Sequence, residues 1–167
     1  LPMLKYMGAV TLALAVQCLV VYQLLLFVFT RLNPLRFLKR FSPVMMFAFT
    51  TATSNATIPL SIDTLDKKIG VSKKISSFTI PLGATINMDG TSIMQGVAVI
   101  FIAQVYGMEL TPAQLLTVIA TAMIASIGTA GIPSVGLIML AMVLTSVGLP
   151  TEGIALIMGI DRILDML

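Results

Sequence analysis

Charged residues cut the chain into apolar stretches of membrane length. Between Lys5 and Arg31 about 25 residues carry no charge, more than the roughly 20 that cross about 30 Å of hydrocarbon at about 1.5 Å per residue. Residues 6–30 are therefore predicted as a membrane helix. A basic connector follows at residues 31–40, and a second basic cluster stands at Lys67, Lys68, Lys73 and Lys74. The positive-inside rule places both on the cytoplasmic side. The stretch between them, residues 41–62, is uncharged over about 22 residues, yet one crossing would put the two clusters on opposite sides. Two arms of about ten residues, each rising about 15 Å, remove the conflict. Residues 41–66 are accordingly predicted as a re-entrant hairpin with its tip at Thr50-Thr51-Ala52-Thr53-Ser54-Asn55-Ala56-Thr57.

Residues 75–108 are apolar except for Asp89 and predict a second crossing, interrupted near Gly83 and at Asn87-Met88-Asp89-Gly90-Thr91. The next uncharged stretch, about 42 residues long, lies between Glu109 and Glu152 and is dense in Gly, Pro, Ser and Thr at residues 126–136. A helix does not run straight through such a segment, so residues 110–150 are predicted as a second hairpin or a pair of crossings. Residues 153–167 begin a last membrane helix carrying Asp161, Arg162 and Asp165. An apolar hairpin with a hydroxyl-rich tip, then a membrane helix with polar groups at mid-depth, thus occurs twice from opposite sides. That is the inverted-repeat pattern of secondary transporters.

Composition agrees. Of 167 residues 57% are hydrophobic and 10% charged, with a mean hydropathy of +1.04. An ordinary soluble domain, a disordered chain and a disulfide scaffold are all excluded. The net charge of +3 lies in separate clusters, without a basic stripe for nucleic acid. There is no His, and Cys18 is alone, which removes imidazole chemistry and an internal disulfide. No nucleophile–base pair or catalytic metal motif is visible, so an enzyme is not expected. Both ends read as cuts through a longer protein.

The sharpest chemical feature is Asp89, because a carboxylate in mid-membrane costs about 2.5–3.5 kcal/mol on insertion scales. With the Asn87 amide and backbone carbonyls freed at Gly90 it forms an oxygen set suited to Na⁺; a structural Asp bonded to backbone amides is the alternative. The residue 50–57 tip presents N–H groups and hydroxyls to an anion, or is a solvated loop. The residue 126–136 segment is a lid over substrate or an external turn. Asp161 and Asp165, four apart, share a helix face: one fits a structural pair with Arg162, and Asp165 fits an ammonium group. The twelve Met and eight Phe are read as packing and lipid contact.

Three segments closely resemble the glutamate transporter homologues, the dicarboxylate/amino acid:cation symporter family. They are Ser76-Ser77-Phe78-Thr79-Ile80-Pro81-Leu82-Gly83-Ala84-Thr85-Ile86-Asn87-Met88-Asp89-Gly90-Thr91, Ser126-Ile127-Gly128-Thr129-Ala130-Gly131-Ile132-Pro133, and Gly159-Ile160-Asp161-Arg162-Ile163-Leu164-Asp165-Met166. The resemblance covers essentially the whole chain. It implies an all-α integral membrane protein of the cytoplasmic membrane: part of the transport domain, with two re-entrant hairpins and broken helices in inverted repeat. The scaffold domain would lie outside the chain, and the full-length protein would be a homotrimer working like an elevator. For substrate it implies Thr53, Ser54, Asn55, Thr91, Ile132, Pro133 and Gly136, with Asp165 on the α-amino group. For Na⁺ it implies Gly83 with Asn87, Asn87 with Asp89, and backbone oxygens of Thr85, Ser126, Ile127 and Thr129. At the two tips Ala52 offers no charge and Ser134 replaces a frequent glycine. The resulting expectation is a Na⁺-coupled symporter of aspartate or glutamate. A C4-dicarboxylate or neutral amino acid carrier driven by H⁺ or Na⁺ is the nearest alternative, and a truncated, non-transporting membrane module the more distant one.

Overall fold

A computed structural model of the chain describes residues 2–127 and 129–167. Among them the regular structure is entirely helical: α1 (Pro2–Val16), a π turn (Gln17–Val21), α2 (Tyr22–Thr30), α3 (Pro34–Thr51), α4 (Ser54–Thr64) with a π turn at its end (Leu65–Ile69), α5 (Lys73–Ile86), α6 (Asp89–Val105), α7 (Pro112–Ser126), α8 (Val135–Ser146), a short 3₁₀ turn (Thr151–Gly153) and α9 (Ile154–Met166). Two helical stretches are long and apolar enough to cross a membrane, Pro2–Thr30 and, counted through its break, Lys73–Val105. Their surroundings agree: large apolar side chains such as Phe29, Leu35, Met46, Phe78 and Ile124 stand exposed on the outside, where only lipid or further protein could cover them.

Local sequence signals explain most boundaries. Pro34 occupies the first turn of α3 and the Asn33 side chain accepts from the Arg36 N–H at 3.3 Å, so the helix starts inside the basic stretch. The first arm therefore spans 18 residues where about ten were expected. Thr111 and Gln114 cap α7 reciprocally, with Pro112 behind them, a capping box. The expected interruption at Gly83 does not occur: α5 runs through Pro81 and Gly83 and ends at Ile86, leaving only Asn87 and Met88 between α5 and α6. At the first tip the same economy holds. Only Ala52 and Thr53 are non-helical, and Ala52 sits at φ 49°, where a left-handed residue ends a helix.

Helix α6 is the centre. Its buried face, Met94, Ala98, Val99, Ile102 and Ala103, meets Tyr6 and Val10 of α1, Val118 and Ala122 of α7, and Leu137, Leu140 and Leu144 of α8. The spacing of three and four keeps these positions on one stripe. Small residues allow close approach: a Cβ on Gly153 would lie 2.5 Å from Ile102 Cγ2, and one on Gly136 would meet the flexible end of Met94 at 2.9 Å. Helix α9 closes the bundle through Ile157 and Leu164.

Candidate functional site

The elements converge on one cavity of about 260 Å³. Its walls are the α3–α4 tip (Thr53, Ser54), the α5–α6 break (Asn87, Met88, Gly90, Thr91), the segment between α7 and α8 (Thr129, Gly131, Ile132, with Gly136 beyond it) and the end of α9 (Leu164, Asp165). Three chain breaks meet there beside α9, so helix termini with unpaired N–H and C=O groups surround the space. Of the sequence-predicted substrate residues, Thr53, Ser54, Thr91, Ile132, Gly136 and Asp165 line it; Asn55 and Pro133 stand outside the lining. Asn55 still takes part through its backbone, its N–H donating to the Gly131 carbonyl at 3.4 Å.

The two tips touch. Thr53 Oγ1 donates to the Gly131 carbonyl at 2.6 Å. The approach at Gly131 is close: a Cβ there would stand 3.1 Å from both Asn55 Oδ1 and Ser54 Cβ, so the first tip would have to give way by a few tenths of an ångström. On the other side Ser134, at φ 63°, turns the chain into α8 and gives its N–H to Asp165 Oδ2. The Asp165 carboxylate is thereby tied to the second tip while facing the cavity. The expected Asp161–Arg162 pair is absent among the described residues. Asp161 is buried and its Oδ2 has no hydrogen-bond partner, while the ion pair that does form is the exposed Lys67–Asp63 contact at 2.8 Å. Adjacent positions on a helix point about 100° apart, which separates Arg162 from the Asp161 side.

The predicted ion ligands fall into two groups. Asn87 lies in the α5–α6 break, and its N–H donates to the Gly83 carbonyl at 2.9 Å. Thr85 uses its hydroxyl on the Leu82 carbonyl at 2.9 Å. Ser126 and Thr129 are buried at the end of α7, their hydroxyls bonded to the carbonyls of Met123 and Ala125; Ile127 beside them is exposed. Gly128, part of the same motif, lies outside the described residues. No cluster of three or more acidic, His or Cys side chains occurs among the described residues, so a cation here would depend on amide and backbone oxygens as well as carboxylate.

Asp89 is held in a way the sequence reading missed. Gln17 Nε2 donates to its Oδ2 at 2.6 Å, and the Tyr22 hydroxyl donates to the same oxygen. The available signal was polarity inside the first apolar run: Gln17 and Gln23 are the amides between Lys5 and Arg31, and an amide in hydrocarbon needs a partner. Gln95, fully buried, was likewise unremarked; its Nε2 donates to the Gly136 carbonyl at 3.2 Å and fixes the start of α8 on α6.

Comparison with known proteins gives this cavity a family. The chain is 43% identical over 160 residues to an excitatory amino acid transporter of Caenorhabditis elegans, covering 96% of this chain and 32% of the relative. It is 44% identical over 162 residues to human excitatory amino acid transporter 1, 97% of this chain and 30% of the relative. It is 43% identical over 161 residues to the rat neutral amino acid transporter B(0), 96% and 29% respectively. The chain thus spans about a third of the length of these relatives. The profile of the sodium:dicarboxylate symporter family matches residues 1–167, and the chain belongs to that family.

Proposed function

We propose that the chain is the ion- and substrate-binding part of a secondary symporter that couples Na⁺ entry to uptake of an acidic amino acid. The observation that carries the reading is the cavity itself, lined by hydroxyl residues and backbone of the two tips, by Thr91 and by the Asp165 carboxylate. An α-carboxylate suits the tips and an α-ammonium suits Asp165, so an amino acid fits where a simple anion would leave Asp165 without a counter-charge. Na⁺ is then a second substrate, bound by Asp89, Asn87 and the carbonyls of Gly83, Thr85, Ser126, Ile127 and Thr129.

Helix lengths support a re-entrant arrangement. Counted through the 5-residue π turn that extends it to Ile69, α4 rises at most about 24 Å, and α8, with 12 residues, about 18 Å, both short of about 30 Å of hydrocarbon. Their tips meet at Thr53 and Gly131, as half-helices do at mid-membrane. In this reading the irregular segment before α8 closes over substrate, and the cavity is carried across the membrane by movement of the whole unit against a scaffold formed by other parts of the protein, within a homotrimer.

The test uses the full-length protein in liposomes with radiolabelled aspartate. Uptake is expected to require an inward Na⁺ gradient and to fall at least tenfold in Asp165→Ala. Uptake that persists without Na⁺ and survives Asp165→Ala overturns the proposal. A neutral amino acid substrate has specific support, because the rat neutral amino acid transporter B(0) is as similar as the excitatory ones. Competition by unlabelled aspartate, alanine and succinate separates acidic amino acid, neutral amino acid and dicarboxylate, and a proton gradient in place of Na⁺ tests the driving ion.

A further inference from the structure

The first helical run contains one irregularity, and it faces the candidate ion site. Between α1 and α2 the backbone makes a π turn, Gln17–Val21, closed by the Tyr22 N–H on the Gln17 carbonyl. In a regular α-helix residues five apart point about 140° away from each other. A π turn pairs residue i with residue i+5, so Gln17 and Tyr22 come to one face, one above the other. Both then donate to Asp89 Oδ2 at the start of α6. Asp89 Oδ1 accepts no hydrogen bond among the described residues.

We infer that the π turn exists to place Gln17 and Tyr22 as positioning residues for the Asp89 carboxylate, so that Oδ2 is fixed and Oδ1 is presented to the cation. The inference rests on the reading of Asp89 as an Na⁺ ligand and adds residues that reading does not contain. Physically, two donors on one oxygen remove the carboxylate's rotational freedom before the ion arrives, and the cost of ordering is met when the helix folds. The second function of the pair follows: with Oδ2 occupied, the carboxylate binds through one oxygen, which leaves room for the Asn87 amide beside it.

The experiment uses the full-length transporter in liposomes and in detergent. Tyr22→Phe and Gln17→Met each remove one donor and keep the side-chain volume; deletion of Leu19 turns the π turn into α-helix and removes the shared face. The Na⁺ concentration for half-maximal uptake is expected to rise about tenfold in each substitution, the scale seen when partners of metal ligands are lost, and further in the deletion. Maximal uptake at saturating Na⁺, substrate KM at saturating Na⁺ and melting temperature in Na⁺-free buffer are expected to stay near the unmodified values. Direct Na⁺ binding by calorimetry without substrate should weaken in parallel. A Na⁺ half-saturation within twofold of the unmodified protein overturns the inference, and so does a loss of Na⁺-free melting temperature with unchanged Na⁺ affinity, which marks a merely structural pair. Should the deletion not fold, the two substitutions decide. Asp89→Asn is measured alongside: if it leaves Na⁺ dependence unmoved, the ion-site reading itself fails; if it moves Na⁺ dependence and Tyr22→Phe does not, only the positioning role fails.

Discussion

The two hairpins answer the same geometric problem in different ways. The first, α3 and α4, turns in two residues and buries little that is apolar: Val44 on α3, and the hydroxyl residues Thr57, Ser61 and Thr64 on α4. The second, α7 and α8, turns through a longer irregular stretch but anchors both arms in the core, with Leu137, Leu140, Val143 and Leu144 buried on α8 alone. A tight tip on lightly held arms moves as one piece. A tip of irregular backbone on firmly held arms has fewer helix hydrogen bonds to break when it rearranges. Under the proposed function, the contrast makes the second tip the candidate for closure over the cavity and the first its counterpart.

Variants at the junction and along the arms would break or sharpen that contrast. The largest effect is expected from Gly131→Val, since even a Cβ meets Ser54 and Asn55 at 3.1 Å; the tips would be forced apart, and uptake should fall more than tenfold in a liposome assay while Na⁺-free melting temperature changes little. Next comes arm anchoring. Leu140→Ala, at a position with no exposed surface, should cost about 2–5 kcal/mol by cavity formation. Val44→Ala in the first arm loses less volume and should cost about 1 kcal/mol; equal losses in denaturant or thermal titrations would erase the distinction between the arms. Thr53→Val removes one neutral hydrogen bond between the tips, about 1 kcal/mol, and should speed substrate release about fivefold in a washout experiment. The smallest effect is predicted for Lys67→Ala, whose exposed partner Asp63 leaves nothing to be resolved in a melting curve.

Much of this architecture was legible where the sequence concentrates breakers and hydroxyls. A hydroxyl-rich run marked the first tip and a run rich in Gly, Pro, Ser and Thr the second, and the helix break fell at Asn87-Met88, inside the Asn87–Thr91 segment expected to interrupt it but not at Gly83 or Gly90, because such residues act locally through backbone geometry and capping. The charge of Asp165 in apolar surroundings pointed to the cavity, and that of Asp89 to the helix break beside it, with Asp89 itself outside the lining. What stayed hidden was non-local or cumulative. The first arm began seven residues early because Asn33 and Pro34 cap a helix that charge counting treats as a connector. The hold on Asp89 depended on a π turn in a run of valine and leucine, and no residue there announces a change of helical pitch. The closeness of Gly131 to Ser54 and Asn55 joins positions more than 70 apart in sequence, and a single glycine among several gives no sign of which one faces a neighbour.

Helix α6 places Asp89 at its first residue, Thr91 two positions on and Gln95 a turn beyond. The proposed ion ligand and the proposed substrate ligand therefore ride on a single helix only about 3 Å apart along its axis. Under the proposed function, linkage between the two bound species then needs no chain of relayed contacts: whatever displaces the start of this helix changes both affinities at once, and by reciprocity each ligand strengthens the other by the same factor. Stoichiometric discipline in such a carrier becomes a property of one helix terminus, and a cargo that failed to seat that terminus would leave the ion unpaid for and the cycle unfinished.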